Sequence, residues 1–92
     1  MPYIDRKTRR VVDQKIDEAE FLTDVFPESE GELNYIITVL CLSYLNRHLD
    51  HKPPRYSDYN ATIGVLECAK LELYARRVRP YEDLKIIENG DV

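Results

Sequence analysis

The chain has 92 residues, a length that makes one domain with a modest core. Apolar residues are 43% of the sequence and charged residues 33%, which excludes a disordered chain and is typical of a folded, soluble protein. The net charge of −4 disfavours a general nucleic-acid binder, because such proteins normally present a basic face. We therefore expect a single helical domain over residues 1–92, located in the cytoplasm, with no signal peptide and no membrane span.

The first predicted helix begins at about Asp5 and is closed by Pro27. The apolar residues that recur at helical spacing on one face are Val12, Ile16, Ala19, Leu22 and Phe26. Basic residues open this helix and carboxylates follow them, so its charges oppose the helix macrodipole. Two interpretations stay open: a solvated, frayed helix end, or cations held by acidic groups elsewhere or by an anionic ligand.

The second predicted helix, from about residue 30 to residue 50, is the most apolar part of the chain. Ser29 and Glu32 have the S-x-x-E spacing of a capping box at its start. Its apolar residues lie on every side of the helical wheel: Leu33, Tyr35, Ile36, Ile37, Val39, Leu40, Cys41, Leu42, Tyr44, Leu45 and Leu49. A helix of this kind is buried on most faces, and the remainder of so short a chain can hardly cover it. We therefore expect a second copy of the chain to contribute.

After a loop that Pro53 and Pro54 hold extended, a third helix is predicted over residues 58–78. Ser57 or Asp58 is its expected N-cap. Gly64 costs about 1 kcal/mol relative to alanine inside a helix, so we interpret it as permitting a close helix crossing.

Pro80 is predicted to break or kink the chain and to start a short last helix, which Asn89 and Gly90 would cap. The predicted fold class is all-α, a small bundle of three main helices plus a short C-terminal helix. Self-association completes it, most simply as a homodimer.

Several blocks of the sequence resemble a family of small proteins encoded by tailed phages and prophages. Its members open with M-P-Y-I, contain G-x-L-N-Y-x-I-T and G-x-L-E-x-x-K-L-E-x-Y-x-R, and end in P-Y-E-D-x-K-I-x-E-N-G-D-V. After the opening MPYI, the matching positions are Gly31, Leu33, Asn34, Tyr35, Ile37, Thr38, Gly64, Leu66, Glu67, Lys70, Leu71, Glu72, Tyr74, Arg76 and residues 80–92. The resemblance implies a phage setting, and hence the cytoplasm of a host bacterium, but it implies no activity.

No residue pattern in the sequence indicates catalysis or a cofactor. Cys41 and His48 are separated by roughly 10 Å along a helix, too far for a nucleophile and its base. His48, Asp50 and His51 make a weak set of metal ligands, and imidazoles also suit a helix C-terminus. Cys41 and Cys68 lie among apolar residues, as buried thiols of a reducing compartment do. We expect no enzyme, no metal and no cofactor.

The best candidate for a binding site is the segment of residues 52–60, where a loop enters the third helix. A helix N-terminus offers amide donors, arginine binds phosphate with two donors, and tyrosine stacks on a base. The basic run before Pro80 is a second such place, although it could instead pair with the acidic first helix. The candidate ligand-binding residues are Lys52, Arg55, Tyr56, Ser57, Tyr59, Asn60, Arg76, Arg79 and Tyr81. In the alternative interpretation, the tyrosines only pack the rim of a small core.

Two functions from different classes follow from these patterns. In the first, the protein is a non-enzymatic homo-oligomer that sequesters an anionic, nucleotide-like ligand, which a phage could use against a host defence signal. In the second, it is an inhibitor or adaptor that binds a host protein through apolar and charged surface. A discrete basic and aromatic pocket would favour the first function, and an exposed flat apolar patch would favour the second.

Overall fold

The computed structural model describes residues 4–18 and 26–92. Within these residues it contains no strand and forms helices α1 (Arg6–Glu18), α2 (Glu30–His48), α3 (Tyr56–Leu73) and α4 (Arg79–Asn89). A π-helical turn, Tyr74–Val78, joins α3 directly to α4. The predicted all-α fold class is confirmed. The chain divides into two compact units, Met1–Ser43 and Tyr44–Val92, and the single domain expected over the whole length stays a prediction.

Helix α1 starts after Asp5, as the sequence predicts. The Asp5 carboxylate accepts a hydrogen bond of 2.7 Å from the backbone N–H of Thr8, which is the geometry of an N-cap. This backbone hydrogen bond lowers the pKa of Asp5 below its ordinary value, because it favours the charged carboxylate. The predicted continuation through Ala19 and Leu22 lies outside the described residues.

The predicted capping box is formed in part at the start of α2. The Oγ atom of Ser29 accepts a hydrogen bond from the backbone N–H of Glu32 at 3.1 Å. The Glu32 carboxylate accepts hydrogen bonds from the Glu28 N–H at 3.3 Å and from Ser29 Oγ at 3.4 Å. The bond to Ser29 satisfies one of the backbone donors that the first helical turn leaves free, and Glu32 places negative charge where the macrodipole favours it.

Helix α2 ends in a Schellman motif just before the predicted Asp50. The His51 N–H donates to the Asn46 carbonyl at 2.9 Å, and the Asp50 N–H donates to the Arg47 carbonyl at 3.2 Å. Asp50 and His51 have φ angles of 53° and 63°, in the left-handed region that glycine adopts at lower cost. The end of α2 is therefore formed at some cost in backbone strain.

The start of α3 corrects one prediction. The N-cap is Arg55, with φ and ψ of −90° and 167°, and neither Ser57 nor Asp58 holds that position. Asp58 instead caps from inside the first turn, because its carboxylate accepts the Arg55 N–H at 2.8 Å. The guanidinium of Arg55 offers no acceptor in return, so only this half of a capping box forms.

Pro80 stands in the first turn of α4, as predicted, but it does not break the chain, which corrects the other part of that prediction. The chain is helical from Tyr56 to Asn89, and the Arg79 N–H donates to the carbonyl of Tyr74, five residues earlier. In a regular α-helix the proline ring would clash with the carbonyl four residues earlier and leave it without a donor. The wider π-helical turn before Pro80 is a known way to accommodate such an interruption.

Helix α4 ends as the sequence predicts. Gly90 has a φ of 84° and its N–H donates to the Ile86 carbonyl at 2.8 Å, so the glycine forms the C-cap. The close helix crossing predicted at Gly64 is not formed by the described residues, since nothing lies within 4 Å of where a Cβ would stand.

Burial is slight throughout the described residues. Leu45 of α2 is 5% exposed and Thr62 of α3 is 9% exposed, and they are the two buried side chains there. Both belong to the unit Tyr44–Val92, in which the end of α2 faces the start of α3. Thr62 satisfies its hydroxyl locally by donating to the Asp58 carbonyl at 3.0 Å. The core of this unit is therefore one small helix corner.

The apolar residues of α2 remain largely open to solvent. More than a third of each of these side chains is exposed: Leu33, Tyr35, Ile37, Val39, Leu40, Leu42 and Tyr44. Apolar residues thus lie on all sides of α2, as predicted, and one chain leaves most of them uncovered. Of the helices in the described residues, none has both the length and the apolar character that crossing a membrane requires.

Candidate functional site

The predicted basic and aromatic segment, residues 52–60, lies on the surface of the unit Tyr44–Val92. Lys52 and Arg55 are exposed in the loop and at the N-cap of α3, and within the described residues neither forms an ion pair. Tyr56 and Tyr59 are 84% and 47% exposed. Ser57 and Asn60, in the first turns of α3, are exposed as well. The segment therefore presents cations and aromatic rings to solvent.

The electrostatics at the start of α3 are mixed. The amide groups and the Arg55 guanidinium favour an anion, but the half-buried Asp58 carboxylate already accepts the Arg55 backbone N–H. The start of α3 therefore offers an anion both attractive and repulsive charges.

A small cavity lies beside this segment, between the end of α2 and the start of α3. It measures about 90 Å³ and is lined by Tyr44, Leu45, His48, Asp58, Ala61, Thr62 and Val65. Tyr44 stacks on His48, with ring centroids 5.3 Å apart and planes 11° apart. A drug-sized ligand needs a pocket of roughly 300 Å³ or more, so a nucleotide does not fit inside this cavity.

The second predicted group, Arg76, Arg79 and Tyr81, is far from the first. Arg55 is the N-cap of the continuous helical segment Tyr56–Asn89 and Arg76 lies within it, and 21 residues of helix separate them by roughly 30 Å. One chain therefore does not combine the two groups into a single site.

The arginines of the second group pair within their own helix. Arg76 contacts the Glu72 carboxylate at 3.1 Å and Arg79 contacts Asp83 at 3.6 Å. Lys85 makes a cation–π contact with Tyr81, with its Nζ 5.5 Å from the ring centroid. An open groove of about 530 Å³ follows the π-helical turn and is lined by Glu72, Ala75, Arg76 and Arg77. The groove is large enough for a ligand, but it is open to solvent.

The histidines suggested as weak metal ligands have other partners. His51 Nδ1 lies 3.0 Å from Asn46 Oδ1, and His48 stacks on Tyr44. Among the described residues, no three His, Cys, Asp or Glu side chains gather as metal ligands would. Cys41 and Cys68 are both half-buried free thiols.

Two features of this unit were missed by reasoning from the sequence. The cavity is lined by residues of two helices, and no local sequence pattern predicts such a contact. The spacing of Tyr44 and His48, four residues apart on one helix face, was the only signal available. The hydrogen bond from Tyr74 to Glu82 was also missed, because it depends on the helix continuing through Pro80.

The comparisons with known proteins place the chain in a family but assign it no activity. A family described as "Domain of unknown function (DUF6899)" matches residues 1–92, the full length of the chain. The chain therefore belongs to this family. A search of curated proteins found no match, and a search of solved structures found none.

Proposed function

We propose that the protein is a non-enzymatic, homo-oligomeric binding module that captures an anionic, nucleotide-like ligand. The proposed setting is the cytoplasm of a phage-infected bacterium, where such a protein would sequester a host defence signal. The observation that carries the proposal is the coexistence of uncovered apolar surface with exposed cations and aromatic rings in one small chain.

The uncovered apolar surface supports self-association. Two side chains are buried in the described residues, whereas Leu40, Leu42, Ile63, Val65 and Leu73 are each more than half exposed. Exposed apolar side chains in this number usually mark a contact with another chain. Closed symmetric oligomers are the commonest way for a single gene product to cover it.

The exposed cations and rings support an anionic ligand with aromatic character. Arg55 can offer two parallel donors to a phosphate, Lys52 adds a point charge, and Tyr56 and Tyr59 can stack on a base. The single chain supplies only one side of such a site, since the adjoining cavity of about 90 Å³ is too small. In the proposed assembly a second copy forms the opposite wall.

A second candidate function is binding of a host protein, as an inhibitor or adaptor. The same exposed apolar side chains favour it, because they would serve a foreign partner as well as a second copy. The two functions differ in what completes the surface. Ligand capture requires that the oligomer leave a basic and aromatic pocket, and protein binding requires that it leave an apolar patch.

The test combines light scattering with a thermal-shift screen of mononucleotides, cyclic dinucleotides and ADP-ribose derivatives. A ligand at a hundredfold excess over its Kd stabilises the folded state by about 2.7 kcal/mol, which raises the Tm of a chain this size by several degrees. Arg55→Ala should remove most of that shift and leave the unliganded Tm nearly unchanged, because an exposed arginine adds little to stability.

Lys70→Ala is the matched control. Lys70 is also exposed and on α3, and its contact is an ion pair with Glu67 at 3.1 Å, so the same charge is lost outside the proposed site. The ligand-induced shift should persist in this variant. Ligand capture at residues 52–60 is rejected if no compound moves the Tm, or if Arg55→Ala and Lys70→Ala respond alike. Binding of a host protein would then be the remaining candidate.

A further inference from the structure

Helix α1 carries a strip of charges in which the two signs are separated. Arg6, Arg10, Asp13 and Asp17 follow one another at intervals of four, three and four residues, so they lie along one side of the helix. The first two are basic and the last two acidic. The side chains are exposed throughout the described span Arg6–Glu18.

This arrangement is unfavourable within one chain. Arg6 and Arg10 are like charges at i,i+4, as are Asp13 and Asp17, and such pairs destabilise a helix. The basic residues also stand at the positive end of the helix macrodipole. Within the described residues, none of the four side chains forms an ion pair. Even Arg10 and Asp13, which have opposite charges at i,i+3, do not reach ion-pair distance among the described residues.

Beside the charged strip, α1 leaves an apolar face open. Val12 and Ile16 lie together on this face and are 39% and 43% exposed, Val11 lies on the other side of the strip and is 46% exposed, and no side chain is buried in the described span Arg6–Glu18. A helix with an apolar face and a charged flank is typical of a surface that pairs with another helix.

We propose that α1 pairs in antiparallel orientation with α1 of a second copy of the chain. In that orientation Arg6 lies opposite the partner's Asp17 and Arg10 lies opposite the partner's Asp13. Both contacts form in a single register, because the midpoint of each pair of positions falls between Val11 and Val12. Two-fold symmetry repeats each contact, and the symmetry axis crosses α1 at the level between positions 11 and 12.

Antiparallel pairing also resolves the macrodipole conflict. The basic N-terminal end of each α1 meets the acidic end of its partner, and the two helix dipoles oppose each other. Parallel pairing would instead place Arg6 against Arg6 and Asp17 against Asp17, which is repulsive. The charge pattern thus selects both the partner, a second copy, and its orientation.

This inference rests on the proposed homo-oligomer and assigns one of its interfaces. The first test reverses charges. Arg6→Glu with Arg10→Glu makes the strip wholly acidic, and Asp13→Lys with Asp17→Lys makes it wholly basic. Each variant alone should associate about tenfold more weakly than the natural chain in analytical ultracentrifugation, because like charges then face each other. An equimolar mixture of the two variants should recover the association.

The control variant, Lys7→Glu with Lys15→Glu, makes the same change in net charge off the strip and should leave association unchanged. Orientation is tested by disulfide trapping in a Cys41→Ser, Cys68→Ser background. Chains with Arg6→Cys mixed with chains with Asp17→Cys should cross-link mainly to each other, and links between two Arg6→Cys chains should be rare.

The outcomes separate the interface from the assembly. If the natural chain is monomeric at micromolar concentration, both this inference and the proposed homo-oligomer fail. If the chain is oligomeric but the strip variants behave like the control, the oligomer stands and the α1 interface is rejected. Failure of the mixed variants to recover association, or dominant linkage between two Arg6→Cys chains, also rejects the antiparallel pair.

Discussion

Tyr74 donates a hydrogen bond from its phenol hydroxyl to the Glu82 carboxylate, eight residues further along the same helix. The bond spans the π-helical turn and Pro80, the two interruptions between α3 and α4. It raises the pKa of Tyr74 above its ordinary value, because only the protonated phenol can donate to the carboxylate. This bond helps to keep α4 continuous with α3 where backbone hydrogen bonding is irregular.

The first prediction concerns the pH dependence of this bond. A raised pKa means that the folded chain holds the phenol proton more tightly than the unfolded chain. The stabilisation is therefore complete below about pH 10, the unfolded value, and is lost as the pH rises through the folded pKa. Tyr74→Phe should lower the urea midpoint at neutral pH and reduce the loss of stability in the alkaline range.

Tyr81→Phe is the control for that experiment. It also removes an exposed phenol hydroxyl from the same helix, but within the described residues that hydroxyl has no hydrogen-bond partner. Its urea midpoint should match that of the natural chain. Glu82→Gln should return the Tyr74 pKa toward its ordinary value, measured by NMR of ring-labelled tyrosine. A Tyr74 titration unchanged by Glu82→Gln would contradict the assignment.

The ends of the helices could be predicted from the sequence because side chains close to each end form the bonds. Ser29 and Glu32 cap α2 within one turn, and Gly90, at a positive φ that glycine adopts readily, ends α4. Such chemistry is local, so a short pattern is enough to reveal it. The prediction failed at Arg55, where the acceptor came from Asp58, a residue already inside the helix.

The continuity of the helix through Pro80 and the shape of the candidate site could not be predicted from such local patterns. Proline usually ends a helix, and its accommodation here depends on a turn five residues long before it. Residues 52–60 have the side chains that bind phosphate and bases, but the enclosing walls of a pocket come from chain segments distant in sequence. In the proposed assembly a second copy of the chain forms the opposite wall of the pocket, and no sequence pattern shows which of its residues would do so.

The second prediction uses the strained end of α2. Asp50 holds the C′ position of the Schellman motif with a φ of 53°, and glycine adopts this conformation without a Cβ clash. Asp50→Gly should therefore raise the free energy of unfolding by about 0.5–1 kcal/mol. The check is urea denaturation at one fixed protein concentration.

Asp50→Ala separates backbone strain from charge. It removes the same carboxylate from the C-terminal end of α2, where a negative charge is unfavourable, but it keeps the Cβ. The alanine variant should gain less stability than the glycine variant. Equal gains in the two variants would mean that charge, and not the left-handed backbone, is responsible.

The third prediction concerns Leu45, the apolar side chain buried in the corner between α2 and α3. At 5% exposure, truncation removes most of its contacts and leaves a cavity, so Leu45→Ala should cost about 2–4 kcal/mol of stability. Leu84→Ala deletes the same atoms from a side chain that is 59% exposed, and it should cost less than about 1 kcal/mol. Similar losses in both variants, again by urea denaturation, would show that the corner is not the core.

The last prediction tests whether Gly64 is needed for packing against another helix. In the described residues nothing lies within 4 Å of a Cβ added there, so Gly64→Ala introduces no clash within the chain. Because glycine costs about 1 kcal/mol relative to alanine in a helix, the variant should be more stable than the natural chain by about that amount.

Ala69→Gly, an exposed position further along α3, is the reverse change and should lose a similar amount of stability, about 1 kcal/mol. Urea denaturation at a fixed protein concentration and sedimentation equilibrium should both be measured on Gly64→Ala. A destabilised variant would contradict the prediction, because it would mean that another chain packs against the glycine. A stabilised variant that self-associates more weakly would also indicate that another chain packs against the glycine. The close crossing predicted from the sequence would then lie between two copies of α3.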